Sequence, residues 1–291
     1  MTGGPGRPGD PGAPGAAPAA TPGAATPLCR AYDVALLDLD GVVYRGDEPL
    51  PHAAEAIAAA RAAGMRMAFV TNNASRTPTA VVEHLARVGV PATEAEVATA
   101  AQAAATLLTT LVAPGVRVLV TGGEGLRVAV AERGFEVVAA AADAPAAVVQ
   151  GYAPALAYDD LAETALAVRA GAVWVASNLD ATIPTPRGLL PGNGALVALV
   201  ATAAGRRPDA VAGKPEPALH DEAVRRSGAR RPLVVGDRLD TDVAGAVRAG
   251  CDSLLVLTGV STEADLAAAA ARPTYVGADL RALLEPGRPG G

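Results

Sequence analysis

Short apolar runs alternate with helical segments along most of this chain. The apolar runs cover residues 34–37, 66–70, 117–120, 147–149, 173–176, 233–235 and 253–257. They are short, continuous and bounded by polar residues, which is typical of buried strands. The helical segments cover residues 53–63, 79–88, 124–133, 158–170, 195–204, 216–227 and 241–249. Such alternation predicts an α/β fold with a doubly wound parallel sheet.

Composition separates the two ends from the rest of the chain. Residues 1–27 are almost wholly Gly, Pro, Ala and Thr, and residues 286–291 are similar. Because such segments bury too little apolar area to offset their ordering entropy, we predict a disordered tail at each end. Residues 100–208 have a strand and helix pattern of their own, which predicts a second α/β domain. The core would then consist of residues 28–99 and 209–285.

Charge and hydropathy exclude several classes of protein. The net charge is −6, which argues against a nucleic-acid-binding surface. No apolar run approaches the ~20 residues of a membrane span. No basic segment followed by an apolar one marks a signal peptide at the N-terminus. Cys29 and Cys251 lie far apart in the sequence, so we expect reduced thiols and a cytoplasmic location.

The tetrapeptide Asp38-Leu39-Asp40-Gly41 directly follows the apolar run 34–37. In open α/β sheets, ligands bind at the carboxyl ends of the strands. Two aspartates this close repel each other unless a cation or a shared proton intervenes. A hard divalent cation held by carboxylate oxygens would remove this repulsion, and Mg²⁺ is the simplest choice. Taken alone, the tetrapeptide is equally consistent with a capped turn at the end of a strand.

Three more polar clusters follow in order. They are Thr71-Asn72-Asn73 after the run 66–70, Gly213-Lys214-Pro215 in a loop, and residues 236–242 after the run 233–235. A parallel sheet brings clusters at strand ends to one edge. The set suits phosphoryl transfer, because a phosphate dianion needs a cation, a lysine and hydrogen-bond donors. One carboxylate can form an aspartyl-phosphate, and a second acid can protonate the leaving alkoxide and later activate water.

These motifs, in this order, resemble those of the haloacid dehalogenase superfamily of phosphatases. The resemblance implies that Asp38 is the nucleophile and Asp40 the general acid/base. The phosphate-binding residues it implies are Thr71, Asn72, Asn73 and Lys214. The Mg²⁺-binding residues it implies are Asp38, Asp40 through its backbone carbonyl, Asp237, and Asp242 as an outer or orienting acid.

The spacing of the motifs locates an inserted domain. Only a loop and a helix fit between Asp38 and Thr71, whereas a whole domain fits between Thr71 and Lys214. This resembles the α/β cap of the nitrophenylphosphatase-like branch, and it implies a Rossmann-like doubly wound core with an inserted α/β cap domain. Caps exclude water and contact the leaving group, so specificity is expected there. Asn178 and Asp180 lie in a predicted cap loop. Their side chains either contact the substrate or stabilise the loop itself. Related capped phosphatases imply a homodimer formed through the cap.

Residues 70–76, 187–194 and 211–215 are similar to segments of bacterial glycerol-3-phosphate phosphatases. The similarity implies Mg²⁺-dependent hydrolysis of a small-molecule phosphate ester, glycerol 3-phosphate. Pyridoxal phosphate, phosphoglycolate and nucleotides are alternative substrates. A nucleobase usually stacks on aromatic side chains, and the predicted cap offers only Phe135, Tyr152, Tyr158 and Trp174, which favours a small, polyol-like substrate. A non-catalytic phosphate-binding regulatory module is the alternative of another class. Asp40 argues against it, because a pure phosphate acceptor needs no acid/base.

Overall fold

A computed structural model describes residues 26–185 and 187–290. The predicted N-terminal tail lies outside the described residues, except for its last two positions. The helices are α1 (Leu28–Ala31), α2 (Ala53–Ala62), α3 (Pro78–Arg87), α4 (Ala100–Leu111), α5 (Glu124–Glu132), α6 (Tyr158–Arg169), α7 (Asn193–Ala204), α8 (Ala218–Ser227), α9 (Ala244–Arg248) and α10 (Glu263–Leu266). Across the described part of the chain, none of these helices has the length and apolar character that a membrane span requires.

The strands fall into two parallel sheets and two short hairpins. They are β1 (Val34–Leu37), β2 (Tyr44–Arg45), β3 (Glu48–Pro49), β4 (Arg66–Thr71), β5 (Val97–Thr99), β6 (Arg117–Thr121), β7 (Glu136–Val138), β8 (Ala147–Gln150), β9 (Val173–Ala176), β10 (Thr182–Thr185), β11 (Gly188–Pro191), β12 (Ala210–Val211), β13 (Pro232–Gly236), β14 (Asp252–Val256) and β15 (Tyr275–Gly277). The hairpins pair β2 with β3 and β10 with β11, both antiparallel.

The first sheet has the strand order β15-β14-β13-β1-β4-β5, and all its pairs are parallel. Helices cover both faces, so alternate residues of β1 enter different cores. Ala35 and Leu37 pack with α2 and α3, while Val34 and Leu36 belong to the core that includes α4 and α8. Burial on both faces explains why β1 is continuously apolar rather than alternating. The predicted doubly wound sheet is confirmed.

The second sheet has the order β12-β9-β8-β6-β7 and is also parallel. Helices α6 and α7 cover one face around Trp174. The other face shares its hydrophobic core with the first sheet, and Leu108 of α4 lies in that common core. Because β12 pairs with β9, the second sheet extends to Val211. The division into a core and a cap at residues 100–208 stays a prediction.

The C-terminal residues differ from the expected disordered tail. The backbone N–H of Val276 donates to the carbonyl of Arg288 at 2.9 Å, and that of Gly290 donates to Thr274 at 3.0 Å. Strand β15 lies at the edge of the first sheet, where no further strand of the described part of the chain pairs with its outer backbone groups. Residues 286–290 satisfy some of these groups, which composition alone does not reveal.

Candidate active site

The carboxyl ends of the first sheet border a pocket of about 540 Å³. Strand β1 leads into Asp38, β4 ends at Thr71, and β13 leads into Asp237. The pocket contains every residue that the sequence singled out, namely Asp38, Asp40, Thr71, Asn72, Asn73, Asn178, Asp180, Lys214, Asp237 and Asp242. The fold therefore brings all of them together, and the role of each stays a prediction.

Lys214 lies at the centre of the charged residues and is only 4% exposed. Its ammonium donates to Asp38 Oδ1 at 2.5 Å and to Asp242 Oδ1 at 2.7 Å. It is also the only lysine of the 291-residue sequence, in which every other cationic side chain except histidine is arginine. A compact ammonium can fit between the partly buried carboxylate of Asp38 and the buried carboxylate of Asp242, where a planar guanidinium would need more room.

The acidic groups outnumber this lysine. Asp38, Asp237 and Asp242 each offer a carboxylate oxygen, and these oxygens lie within 4.8 Å of one another. Burial and the charge of Asp242 raise the pKa of Asp237 to about 6. Burial also raises the pKa of Asp38, although Lys214 opposes the shift. Burial lowers the pKa of Lys214, but Asp242 and Asp38 outweigh it, so the ammonium stays protonated.

The carboxylate of Asp237 fits a hard cation. Its Oδ2 accepts from the backbone N–H of Val260 at 2.7 Å, while its buried Oδ1 has no hydrogen-bond partner among the described residues. Such an oxygen is costly to bury unless something binds it. Asp242 differs, because its oxygens accept from Lys214 and from the backbone N–H of Arg238 at 3.1 Å. The donor set therefore favours Asp38 and Asp237 as direct ligands and Asp242 as an orienting group.

Gly41 allows a close approach to this carboxylate. Its φ is +90°, and a Cβ atom there would lie 2.6 Å from Asp237 Oδ2. Any other residue would meet both backbone strain and a steric clash. The glycine after Asp40 thus has a structural reason beyond the turn that the sequence indicated.

Asp40 lines the pocket, and part of it is exposed to solvent. The loop that carries it is closed by a hydrogen bond from the N–H of Gly41 to the carbonyl of Tyr44 at 2.8 Å. Withdrawal from water raises the pKa of Asp40, although the N–H of Gly46 and the charge of Arg45 oppose this. A raised pKa suits a group that must donate a proton near neutral pH.

The asparagines after β4 bond mainly to protein groups. Asn73 Oδ1 accepts from the backbone N–H and the hydroxyl of Ser75 at 2.8 and 2.7 Å. The side-chain amide of Asn72 donates to Asp180, and the amide of Asn178 donates to the carbonyl of Asn72 at 2.8 Å. For Asn178 and Asp180, these contacts favour loop structure over substrate binding.

The sequence reasoning missed several residues that line the pocket. They are Arg45, Tyr152, Thr182, Ile183, Asn193, Arg238, Thr241, Gly259 and Val260. Gly259 and Val260 follow β14, a predicted strand, so the rule that ligands bind at strand ends could have found them. Arg238 lies inside a motif that was recognised. Tyr152 follows β8 of the second sheet, Thr182 lies in the hairpin strand β10, and Asn193 begins α7. Their approach to the first sheet depends on how these elements pack.

A doubly wound sheet with carboxylates and a lysine at its carboxyl edge is the arrangement of an α/β enzyme that handles phosphate. A family model described as haloacid dehalogenase-like hydrolase matches residues 35–136. A second model, described as HAD-hydrolase-like, matches residues 211–283. The D-glycerol 3-phosphate phosphatase of Mycobacterium tuberculosis is 51% identical over 258 residues, which cover 88% of this chain and 72% of that enzyme.

Solved structures agree with these matches. A crystal structure of glycerol phosphate phosphatase from M. tuberculosis in complex with magnesium gives a TM-score of 0.86 at 51% identity, covering 89% of this chain and 78% of that chain. The 4-nitrophenylphosphatase of Thermotoga maritima gives 0.81 at 30% identity, with coverages of 88% and 98%. The chain therefore belongs to the haloacid dehalogenase-like hydrolases. It is a phosphoric monoester hydrolase of the branch that includes the nitrophenylphosphatases.

Proposed function

We propose that this protein is a Mg²⁺-dependent phosphomonoesterase that hydrolyses glycerol 3-phosphate. One observation carries the chemistry: a single buried lysine joins Asp38 to Asp242, beside an oxygen of Asp237 that has no hydrogen-bond partner within residues 26–185 and 187–290. The relative from M. tuberculosis supports the substrate. Homodimer formation through the cap and a cytoplasmic location stay predictions.

The chain's own residues supply most of the mechanism. The Asp38 oxygen that Lys214 leaves free attacks phosphorus, while the bond to the ester oxygen breaks. Asp40 gives its proton to the departing alkoxide, so the alcohol leaves neutral. Asp40 then takes a proton from water, whose oxygen attacks the phosphorus of the aspartyl-phosphate. Inorganic phosphate departs, and the Asp38 carboxylate is restored.

Charge neutralisation is shared around the transferring group. The Lys214 ammonium and the hydroxyl of Thr71 would bind phosphoryl oxygens, and both residues line the pocket. Mg²⁺, held by Asp38, Asp237 and the Asp40 carbonyl, would supply further positive charge to those oxygens. Asp242 orients Lys214 through the 2.7 Å contact.

A substrate panel tests this proposal. Phosphate release with Mg²⁺ should be measured on glycerol 3-phosphate, phosphoglycolate, pyridoxal phosphate, a nucleoside monophosphate and nitrophenyl phosphate. The pocket volume also admits larger esters, so the panel must include them. We expect the highest kcat/KM on glycerol 3-phosphate. A higher value on a nucleotide or on pyridoxal phosphate would replace the substrate but keep the chemistry. No release from any ester would favour a non-catalytic module.

Replacing Asp40 by asparagine should slow alkyl esters far more than aryl esters. Nitrophenolate leaves without a proton, whereas the glycerol alkoxide needs one. We expect kcat to fall by about 10²–10⁴-fold on glycerol 3-phosphate and much less in the first step on nitrophenyl phosphate. Single-turnover kinetics isolates that step. Equal losses on the two esters would remove support for the general-acid role.

The stability of the metal-free protein should decrease as the pH rises from about 4 to about 6, because folding raises the pKa of the Asp237 carboxyl to about 6. Between its unfolded and folded pKa values, such a carboxyl takes up a proton when the chain folds. Protonation of the carboxyl therefore stabilises the folded state at low pH, and this stabilisation is lost above the folded pKa. Mg²⁺ should raise the midpoint of thermal unfolding, most strongly at the alkaline end. Unfolding with EDTA or Mg²⁺ on both sides of the interval checks this. The variant Asp237→Asn should flatten the dependence.

A further inference from the structure

Asn72 holds the backbone of Lys214 at two points. Its side-chain Oδ1 accepts from the N–H of Lys214 at 2.8 Å, and its Nδ2 donates to the carbonyl of Lys214 at 3.1 Å. The orientation of the carboxamide follows from these partners, because its oxygen faces a donor and its nitrogen faces acceptors. The side chain of Asn72 thus forms hydrogen bonds with the backbone of Lys214, the residue that carries the catalytic ammonium.

The same carboxamide reaches the second sheet's loop at residues 177–180, which we name the docking loop. Asn72 Nδ2 lies 3.1 and 3.2 Å from the two oxygens of Asp180. Asn178, 5% exposed, donates to the Asn72 carbonyl at 2.8 Å. Gly213 lies where these groups meet, because a Cβ there would be 2.7 Å from both Asn72 Oδ1 and the Ser177 carbonyl. The docking loop therefore contacts Asn72, which holds the backbone of Lys214, and Gly213, which directly precedes Lys214.

The docking loop is fixed to the second sheet's helix α7. The N–H of Gly194 donates to the carbonyl of Asp180 at 2.8 Å, and Asn193 Nδ2 donates to the carbonyl of Asn178 at 2.8 Å. A Cβ on Gly192 would lie 2.2 Å from the Asp180 carbonyl oxygen, so the backbones are in close contact. The position of the Asp180 carboxylate consequently follows the position of α7.

We propose that Asn72 is a positioning residue that couples seating of the docking loop to the placement of the Lys214 ammonium. With the loop seated, Asp180 and Asn178 hold Asn72 in the orientation that grips Lys214. Without it, the carboxamide can rotate and the lysine backbone loses its constraint. This inference rests on the proposed function, since it assumes that Lys214 assists phosphoryl transfer. In this proposal Asp180 acts, through Asn72, on the position of Lys214 and does not contact the leaving group.

The variants Asp180→Ala and Asp180→Asn separate these roles. Loss of the acceptor should lower kcat about tenfold on both glycerol 3-phosphate and nitrophenyl phosphate, because Lys214 serves every ester. The asparagine variant should recover most of the rate, since its carboxamide oxygen still accepts from Asn72. Asp159→Ala, which removes an exposed carboxylate of α6, is the matched control and should keep the parental rate.

The single lysine allows a readout besides activity. Amine-selective acylation has Lys214 and the terminal α-amino group as its targets, and peptide mass spectrometry distinguishes them. Acylation of Lys214 should be faster in Asp180→Ala than in the parent, with the α-amino group as internal reference. Asn72→Asp keeps the acceptor for the Lys214 N–H but has no donor for Asp180. It should show the same increase if the alanine variant fails to fold.

The outcomes separate this inference from the proposed function. A loss confined to glycerol 3-phosphate would make Asp180 a leaving-group contact and overturn the inference. Rates within twofold of the parent on both esters, or an asparagine variant as slow as the alanine variant, would also overturn it. Asp38→Asn run in parallel tests the proposed function alone. If that variant is inactive while Asp180→Ala is unaffected, only the positioning role fails.

Discussion

Replacing Asp38 by asparagine is expected to abolish phosphate release from every ester, by about four orders of magnitude or more. A carboxamide is a poor nucleophile, and it cannot form the aspartyl-phosphate on which both half-reactions depend. Asparagine has the same shape, and its oxygen can still accept from Lys214, so the fold should persist. Removing one of three crowded carboxylates should even raise the unfolding midpoint of the metal-free protein.

The measurement is phosphate release at saturating ester, together with thermal unfolding without Mg²⁺. Asp47→Asn is the matched control, because its carboxylate is 90% exposed and lies on the hairpin beside the pocket. The control should keep the parental rate. In the parent, rapid acid quench should trap a phosphoryl group on the peptide that contains Asp38. Activity of Asp38→Asn within tenfold of the parent, or a trapped group on another residue, would contradict the nucleophile assignment.

The sequence predicted the strands, the helices and those site residues that lie at the carboxyl ends of parallel strands. Asp38 and Asp237 each follow an apolar strand and Thr71 ends one, and parallel pairing brings such positions together whatever the loops do. The partners of Asn72 could not be predicted this way. Its contact with Asp180 joins residues 108 positions apart, and it depends on how α7 and its glycines hold the docking loop.

The residue composition predicted the buried helices and strands better than it predicted which segments bind to the edge of a sheet. The Gly and Pro content of residues 286–290 predicted disorder, but the open edge of β15 gives that segment backbone partners. Conversely, Lys214 in a Gly-Lys-Pro loop resembles a solvated loop residue. Its burial follows from the two carboxylates that need a cation. Asp38 lies directly after β1, and Asp242 lies in the short helical segment Leu239–Val243 that follows β13.

Lys214→Met should destabilise the protein and inactivate it together. Methionine fills a similar volume but leaves the buried Asp242 and the partly buried Asp38 without their cation, which costs about 3–5 kcal/mol of unfolding free energy near neutral pH. The cost should shrink at low pH, where the carboxyls can protonate, and in Mg²⁺, which supplies charge nearby. Inorganic phosphate should inhibit the variant more weakly. Denaturant unfolding and phosphate inhibition check both expectations.

Lys214→Arg separates charge from shape at the same site. Arginine keeps a permanent positive charge, so part of the lost stability should return. Its planar guanidinium is wider than an ammonium and binds two acceptors side by side, whereas Asp38 and Asp242 converge on one nitrogen at 2.5 and 2.7 Å. We therefore expect Lys214→Arg to be more stable than Lys214→Met and to remain at least about tenfold slower than the parent. A fully active arginine variant would show that the site needs only charge. It would then leave the single lysine of an otherwise arginine-based sequence without a physical reason.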